Sequence, residues 1–239
     1  MSDIKIIAHR GNNTLYPENT FPAFDEAIRN GVQAIETDIQ TSKDGKAIIC
    51  HNYSLRKDDN RKQVSSLNFN EISQINIASK EQPSPPPLLK DLIIHYAKRC
   101  ELFLEIKWHK ARNPAHKNSY AKTIIDTITT YLPKEHQDFY ILSFDQEILA
   151  LIHQLKPTWR IILNIEDKKY DYSQLDKNYY AINLNRPLIN KADITSLKNA
   201  GFKTAVFTCD TQRSWKRMLK AGVDFIMTNC PHKINEWQS

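Results

Sequence analysis

The stretch Ile6–His51, IIAHRGNNTLYPENTFPAFDEAIRNGVQAIETDIQTSKDGKAIICH, decides the fold of this 239-residue chain. The short apolar run Ile4–Ala8 predicts a buried strand. Glu18–Asn30 carries apolar residues at helical spacing and is followed by a glycine, so it predicts a helix. Val32–Gln40 alternates around two isoleucines and predicts a second strand. A strand, a helix and a strand in this order begin an alternation that the rest of the chain continues.

Two carboxylates lie close together on the second predicted strand. Side chains two residues apart share one face of a strand, so we expect Glu36 and Asp38 to point the same way, about 7 Å apart. Asp44-Gly45 is a strong signal for a two-residue hairpin turn. Such a turn pairs residues whose numbers sum to 89 and predicts Asp38 opposite His51. A longer loop would shift this register.

The alternation of strands and helices predicts an α/β protein. Six further strands are predicted, at Leu102–Lys107, Phe139–Ser143, Arg160–Ile165, Tyr180–Leu184, Phe202–Thr208 and Val223–Thr228. With the first two they make eight strands that can run parallel, which favours a (β/α)8 TIM barrel with an extra hairpin strand, Ala47–His51, after strand 2. A doubly wound open sheet is the alternative, but the chain has no Gly-x-Gly-x-x-Gly to support a nucleotide site.

The length suits one barrel domain spanning residues 1–239. Residues 52–87 are predicted to be a short insertion or loop segment, and Arg56–Gln63 within it is charged and loop-like. The net charge of +6 and the pI of about 9.0 are interpreted as a lysine-rich solvated surface, with mild attraction for anionic substrates as the alternative. Basic runs interleaved with aromatic residues are missing, which argues against nucleic acid as a partner.

The remaining composition points to an intracellular enzyme. No run approaches 18 apolar residues and no secretory signal precedes the first strand, so we expect a cytoplasmic protein without stable membrane insertion. The cysteines lack C-x-x-C spacing and are predicted to be free, buried thiols in a reducing compartment. They are Cys50, Cys100, Cys209 and Cys230. The sequence leaves the oligomeric state open.

Charged residues stand at the ends of three consecutive predicted strands. They are His9 with Arg10, Glu36 with Asp38, and Glu105 with Lys107. Active sites of such barrels lie at the carboxyl ends of the strands, so these pairs should face one mouth. For Glu105 alone, an internal salt bridge to Lys107 or Arg10 is at least as good an explanation as a ligand role. Three converging carboxylates are better explained by one divalent cation, Mg²⁺ or Ca²⁺ rather than zinc because all the ligands are oxygens.

An ordered set of motifs resembles the glycerophosphodiester phosphodiesterase family of TIM barrels. The matching pieces are His9-Arg10-Gly11, Glu18-Asn19-Thr20, Glu36-x-Asp38, Thr41-x-Lys43-Asp44-Gly45, His51, Glu105-Ile106-Lys107 and Val223-Asp224 with Thr228 and Pro231. The resemblance covers nearly the whole chain. It implies a metal-dependent enzyme that hydrolyses glycerophosphodiesters to sn-glycerol 3-phosphate and an alcohol, with the cation bound by Glu36, Asp38 and Glu105.

The resemblance also implies a mechanism in which the glycerol 2-hydroxyl attacks phosphorus and water opens the resulting cyclic phosphate. Two histidines can divide the proton transfers, and we assign His9 as base and His51 as acid, with the order open. Arg10 and Lys107 are expected to neutralise the phosphoryl oxygens.

Three residues depart from the family pattern: Asn52 and Asn229 replace aspartates, and Phe225 replaces a glycine. The two amides leave the orientation of the histidines and the choice of substrate open. Two alternatives follow. One is a related barrel phosphodiesterase of the lysophospholipase D type, and the other is a catalytically silent barrel that binds phosphorylated metabolites.

Overall fold

Eight parallel strands close into a barrel in the computed structural model of the chain, which describes residues 4–57, 60–78, 84–109, 112–135, 138–167 and 170–238. The described residues hold eleven strands: β1 (Lys5–His9), β2 (Ala34–Thr41), β3 (Ala47–Ile49), β4 (Ser54–Lys57), β5 (Asn60–Gln63), β6 (Glu101–Ile106), β7 (Phe139–Ser143), β8 (Ile161–Ile165), β9 (Ala181–Asn185), β10 (Lys203–Phe207) and β11 (Phe225–Thr228). All of them except β3, β4 and β5 belong to the ring.

The ring runs in the order β1-β11-β10-β9-β8-β7-β6-β2 and closes through pairing of β1 with β2. Every neighbouring pair in it is parallel. The predicted (β/α)8 barrel is therefore confirmed, and the open sheet is excluded. Because all eight strands point the same way, their carboxyl ends share one mouth.

Helices cover the outside of the barrel. In the described ranges they are α1 (Phe21–Arg29), α2 (Phe69–Ile72), α3 (Leu89–Tyr96), α4 (Lys117–Tyr131), α5 (Gln146–Leu155), α6 (Lys191–Asn199), α7 (Gln212–Ala221) and α8 (Ile234–Gln238). Their buried faces, with residues such as Phe24, Ile93 and Trp215, pack on the outward side chains of the strands. A separate interior cluster, which includes Phe103 and Tyr140, fills the barrel itself. The four cysteines are buried and free, as predicted.

Strand β3 pairs antiparallel with β2 outside the ring, as the hairpin signal predicted. The predicted register is wrong by one residue, because Ile39 faces Ile49 and paired numbers sum to 88. Ser42 and Lys46 pair across the turn, so the loop has three residues rather than two. The outer edge of β3 is covered, since Ile49 N–H donates to the Pro87 carbonyl at 2.8 Å and Ile48 forms a bridge with Leu88.

The segment after β3 is more ordered than its composition suggested. Arg56–Gln63 was expected to be a loop, but β4 and β5 pair antiparallel there. A small apolar cluster that includes Leu55, Val64 and Ile72 packs this segment against Ile48 of β3. Residues 58–59 and 79–83 lie outside the described ranges.

None of the helices in the described ranges is both long enough and apolar enough to cross a bilayer.

Candidate active site

Three buried carboxylates meet at the carboxyl mouth of the barrel. Glu36 and Asp38 lie on β2, and Glu105, the register partner of Asp38, lies on β6. One oxygen from each falls within 4.8 Å of the other two. Glu36 Oε1 is buried and faces no hydrogen-bond donor, whereas Asp38 Oδ1 and Glu105 Oε1 face the ammonium group of Lys107. A convergent set of carboxylate oxygens is the donor set that hard divalent cations prefer.

The three carboxylates have different pKa values because their neighbours differ. Burial, and next the charges of Asp38 and Glu105, raise the pKa of Glu36 well above its ordinary value. Burial and Asp38 raise the pKa of Glu105 to about 7. Burial also opposes ionisation of Asp38, but Arg10 and Lys107 outweigh it and hold the pKa of Asp38 below its usual range. Without a cation, the cluster therefore favours one ionised carboxylate beside two that retain protons more readily.

Two basic side chains, those of Arg10 and Lys107, lie among these carboxylates. Arg10 Nε lies 3.1 Å from Asp38 Oδ2, and Arg10 Nη1 donates to Glu18 Oε2 at 2.8 Å. Lys107 Nζ lies 3.0 Å from Glu105 Oε1 and 3.5 Å from Asp38 Oδ1. The internal salt bridge considered for Glu105 thus exists with Lys107. It does not replace the acidic cluster, because Glu36 Oε1 faces no hydrogen-bond donor.

The backbone after β1 turns sharply to bring Arg10 into the mouth. Arg10 has a φ of 58°, and its N–H donates to the carboxylate of Glu36 at 3.1 Å. Gly11 follows with a φ of 79°, and a Cβ there would lie 2.6 Å from the backbone of Ala23. Only glycine combines this φ with so close an approach. The His9-Arg10-Gly11 motif therefore shapes a turn as well as supplying charge.

Asn19 is a site residue whose role the sequence did not reveal. Its Nδ2 donates to Asp38 Oδ2 at 2.9 Å, and its Oδ1 accepts from the Thr37 hydroxyl at 2.8 Å. It also has a φ of 59°, in the left-handed region that asparagine tolerates better than most residues. The Glu18-Asn19 pair thus fixes Asp38 and Arg10 together, and the signal was its place in a recognisable motif.

The two histidines line the same cavity, which has a volume of about 470 Å³. His9 Nε2 lies 3.9 Å from Glu36 Oε2, and burial, then the Arg10 charge, lowers the pKa of His9 to about 4. His51 is half-buried, with Nδ1 3.9 Å from Glu18 Oε1. Burial lowers the pKa of His51, and Lys107 and Arg10 add to that effect while Asp38 opposes it. Both rings are therefore neutral near pH 7.

The asparagines that replace family aspartates occupy different environments. The Asn52 side chain is exposed, and the backbone carbonyl of Asn52 accepts from Gln40 Nε2 at 2.8 Å. Asn229, by contrast, contacts His9 directly, with Oδ1 2.7 Å from Nδ1. Of the two replacements, Asn229 is thus the one that contacts a histidine, although it lies 220 positions from His9 in the sequence.

Two asparagine side chains inside the barrel are joined by a hydrogen bond and support the acidic cluster. Asn164 Nδ2 on β8 donates to Glu105 Oε2 at 2.9 Å, and Asn183 Nδ2 on β9 donates to Asn164 Oδ1 at 2.9 Å. Sequence reasoning missed both residues. The available signal was an asparagine among buried apolar residues in each of two strands, Ile161–Ile165 and Ala181–Asn185.

The chain is similar to known proteins along nearly its whole length. An uncharacterized protein of Bacillus subtilis is 26% identical over 242 residues, covering 97% of both chains. A glycerophosphodiester phosphodiesterase of Bacillus altitudinis is 26% identical over 238 residues, covering 96% of both. A solved structure of an Oleispira antarctica phosphodiesterase in complex with the product sn-glycerol-3-phosphate superposes with a TM-score of 0.88 at 21% identity, covering 98% of this chain and 96% of that one. The last likeness shows the fold.

Together, fold and relatives define the class of this protein as a TIM-barrel hydrolase of phosphoric diesters. The model of the Glycerophosphoryl diester phosphodiesterase family matches residues 9–233, and the chain belongs to that family. The resemblance inferred from the motifs is confirmed.

Proposed function

We propose that this enzyme hydrolyses glycerophosphodiesters to sn-glycerol 3-phosphate and an alcohol, with the help of one divalent cation. The observation that carries the proposal is the convergence of the carboxylates of Glu36, Asp38 and Glu105. They lie beside two basic side chains and two neutral histidines, and Glu36 Oε1 is buried without a hydrogen-bond donor. The proposed binding site for the substrate is the cavity of about 470 Å³ at the barrel mouth, a suitable size for a small soluble diester. We also propose that residues 1–239 act as one domain, with 52–87 as an insertion beside the mouth.

The residues present fit a divalent cation. Glu36, Asp38 and Glu105 would hold it through oxygens that otherwise repel one another. An all-oxygen set of this kind favours Mg²⁺ or Ca²⁺. When bound, the cation supplies Lewis-acid stabilisation of charge on the phosphoryl oxygens. Arg10 and Lys107, which already pair with the same carboxylates, are proposed to add positive charge around those oxygens.

The proton transfers are assigned to the histidines. His9 is proposed to take the proton of the glycerol 2-hydroxyl at Nε2 as the 2-oxygen bonds to phosphorus. His51 is proposed to give a proton to the departing alkoxide as the phosphorus–oxygen bond to the alcohol breaks. Its lowered pKa leaves His51 neutral in the resting site, but a bound phosphodiester anion nearby favours the protonated ring. Water then opens the cyclic phosphate with the histidine roles reversed.

A direct test measures glycerol 3-phosphate released from glycerophosphocholine in Mg²⁺, in Ca²⁺ and in EDTA. Turnover that needs a divalent cation supports the proposal. Tight binding of glycerol 3-phosphate without turnover in any cation would instead establish a silent binding barrel. Faster release of choline from lysophosphatidylcholine than from glycerophosphocholine would move the substrate class to lysophospholipids.

A further inference from the structure

His9 is the first of three side chains that are joined by hydrogen bonds beside the acidic cluster. Its Nδ1 is 2.7 Å from Asn229 Oδ1, and Asn229 Nδ2 donates to Asp210 Oδ2 at 2.8 Å. The ring ends strand β1, the amide follows β11 and the carboxylate follows β10. A ring, an amide and a carboxylate from three neighbouring strands are thus joined by two short hydrogen bonds.

The direction of both bonds is fixed by chemistry. An ionised carboxylate only accepts hydrogen bonds, so the amide nitrogen of Asn229 must face Asp210 and its oxygen must face His9. Asn13 supplies an independent constraint, because its Nδ2 donates to the backbone carbonyl of His9 at 2.9 Å and to Asn229 Oδ1 at 2.7 Å. With an acceptor opposite it, Nδ1 of His9 must carry the proton. The neutral ring then keeps its lone pair on Nε2, the nitrogen 3.9 Å from Glu36.

Asp210 is itself held rigidly. Its Oδ1 accepts from the Asn229 backbone N–H at 2.7 Å and from the Thr228 hydroxyl at 3.1 Å. Its Oδ2 accepts from the Thr208 hydroxyl at 2.6 Å as well as from the Asn229 amide. The backbone N–H cannot turn away, so the oxygen facing it must remain an acceptor. This asymmetry leaves the other oxygen to orient the amide.

We propose that Asp210 and Asn229 are positioning residues that hold His9 in the Nδ1–H tautomer, so that Nε2 is the atom that accepts a proton. The assignment of His9 as base and, by elimination, His51 as acid follows from this chain of bonds. It rests on the proposed function for its catalytic meaning, whereas the tautomer itself is independent of any activity. Asn229 therefore orients His9 as firmly as a carboxylate at that position would, because the carboxylate of Asp210 fixes the Asn229 amide in turn.

Asp210→Asn gives the sharpest test. The introduced amide must keep its oxygen toward the Asn229 backbone N–H, which turns its NH₂ toward the Asn229 side chain. Asn13 would oppose a flip of Asn229, because it donates to Asn229 Oδ1, so the test variant also carries Asn13→Ala. In that double variant Asn229 is driven to flip, present its own NH₂ to His9 and move the ring proton to Nε2. Long-range ¹H–¹⁵N spectra at neutral pH, with His9 assigned from the His9→Asn variant, should show loss of the Nδ1–H tautomer. Turnover should fall by roughly 10- to 100-fold in kcat with KM little changed.

The exchange Asp210→Asn with Asn229→Asp should reverse both effects. The introduced carboxylate at 229 accepts from His9 and from the new amide at 210, so the Nδ1–H tautomer and most of kcat should return. Asn229→Asp alone should keep the tautomer but lower the melting temperature, because two carboxylates would face each other at hydrogen-bond distance.

Asp224→Asn is the matched control, since Asp224 accepts from a neighbouring strand in the same way but at the opposite end of the barrel. It should lower stability without changing the tautomer or kcat. An unchanged His9 tautomer in the variant that combines Asp210→Asn with Asn13→Ala overturns the proposal, as does a double exchange at 210 and 229 no better than Asp210→Asn. If the wild-type protein shows the Nδ1–H tautomer but hydrolyses no glycerophosphodiester, the positioning stands and the proposed function fails.

Discussion

The two ends of the barrel treat buried charge in opposite ways. At the amino end, Asp224 Oδ1 accepts from Lys203 and its Oδ2 from the N–H and hydroxyl of Thr204. Burial opposes ionisation there, but these donors outweigh it and hold the pKa of Asp224 below its usual range. At the carboxyl mouth, by contrast, the buried oxygen Glu36 Oε1 has no hydrogen-bond donor, and the pKa of Glu36 is raised.

The difference teaches which end is built for stability. Lys5 pairs with Glu101 at the amino end and lies 5.9 Å from the ring centroids of Tyr140 and Phe225. Each of the two carboxylates described at this end has a basic partner of its own within the chain, although Glu101 Oε2 is buried without a donor. The mouth, by contrast, gathers more carboxylate than its own cations neutralise, which is a costly arrangement unless something from outside completes it.

The largest effect should come from removing one carboxylate of the mouth. Glu36→Gln should lower turnover by about 10³-fold, because a bound cation contributes several kcal/mol of transition-state stabilisation. A divalent cation that binds only the folded state should raise the melting temperature of the wild type, and this variant should lose most of that rise. Differential scanning calorimetry with and without Mg²⁺ or Ca²⁺ measures it.

Asp224→Asn provides the comparison for that experiment. It should lose stability yet keep the whole cation-dependent rise. If no cation shifts the wild type, the three carboxylates are an internal charge network and the contrast between the two ends loses its functional meaning.

His51→Asn should separate proton transfer from cation binding. Turnover should drop by roughly 10²- to 10³-fold, within the usual range for loss of a general acid or base. The cation-dependent rise in melting temperature should persist, because His51 contacts Glu18 rather than an unbonded oxygen of the cluster. Equal loss of the thermal shift in His51→Asn and Glu36→Gln would show that the histidine shares the cation.

Glu105 at the mouth and Asp224 at the amino end should make opposite contributions to the pH dependence of the free energy of unfolding. The raised pKa of Glu105 means that, between about 4.5 and about 7, the folded protein holds a proton that the unfolded chain has released. Stability of the cation-free protein should therefore fall as pH rises through that window, and Glu105→Gln should flatten the fall. Asp224 has a lowered pKa, so its contribution is present above the unfolded value and is lost as pH falls through the folded value. Urea titrations in EDTA at several pH values, with Asp224→Asn beside Glu105→Gln, resolve the two contributions.

The smallest effect is expected at Asn52. Its side chain is exposed and no contact with His51 is seen among the described residues, so Asn52→Asp should change turnover by less than a few-fold. A loss of several orders of magnitude would mean that the acid side of the site is arranged differently. Steady-state kinetics on glycerophosphocholine is sufficient to decide.

The sequence predicted most of what lies on a single strand and less of what joins distant strands. Glu36 and Asp38 share a face because they are two residues apart on one strand, and this spacing can be read directly from the sequence. The bond between His9 and Asn229 spans 220 positions, and no local pattern encodes it. The hairpin register was missed by one residue because Asp44-Gly45 fits both a two-residue turn and the observed three-residue loop. Strand β5 was missed because its four residues are all polar and exposed.

The covered edge of β3 has a consequence for how molecules of this protein meet one another. A strand outside a closed ring would normally offer its free N–H and C=O groups to a strand of a second molecule, the first step of aggregation. Here Pro87 and Leu88 occupy that edge, and proline itself has no N–H with which to continue a ladder. Pro87 and Leu88 thus block intermolecular sheet growth at this edge, and their removal would leave β3 open to pairing with a strand of a second molecule.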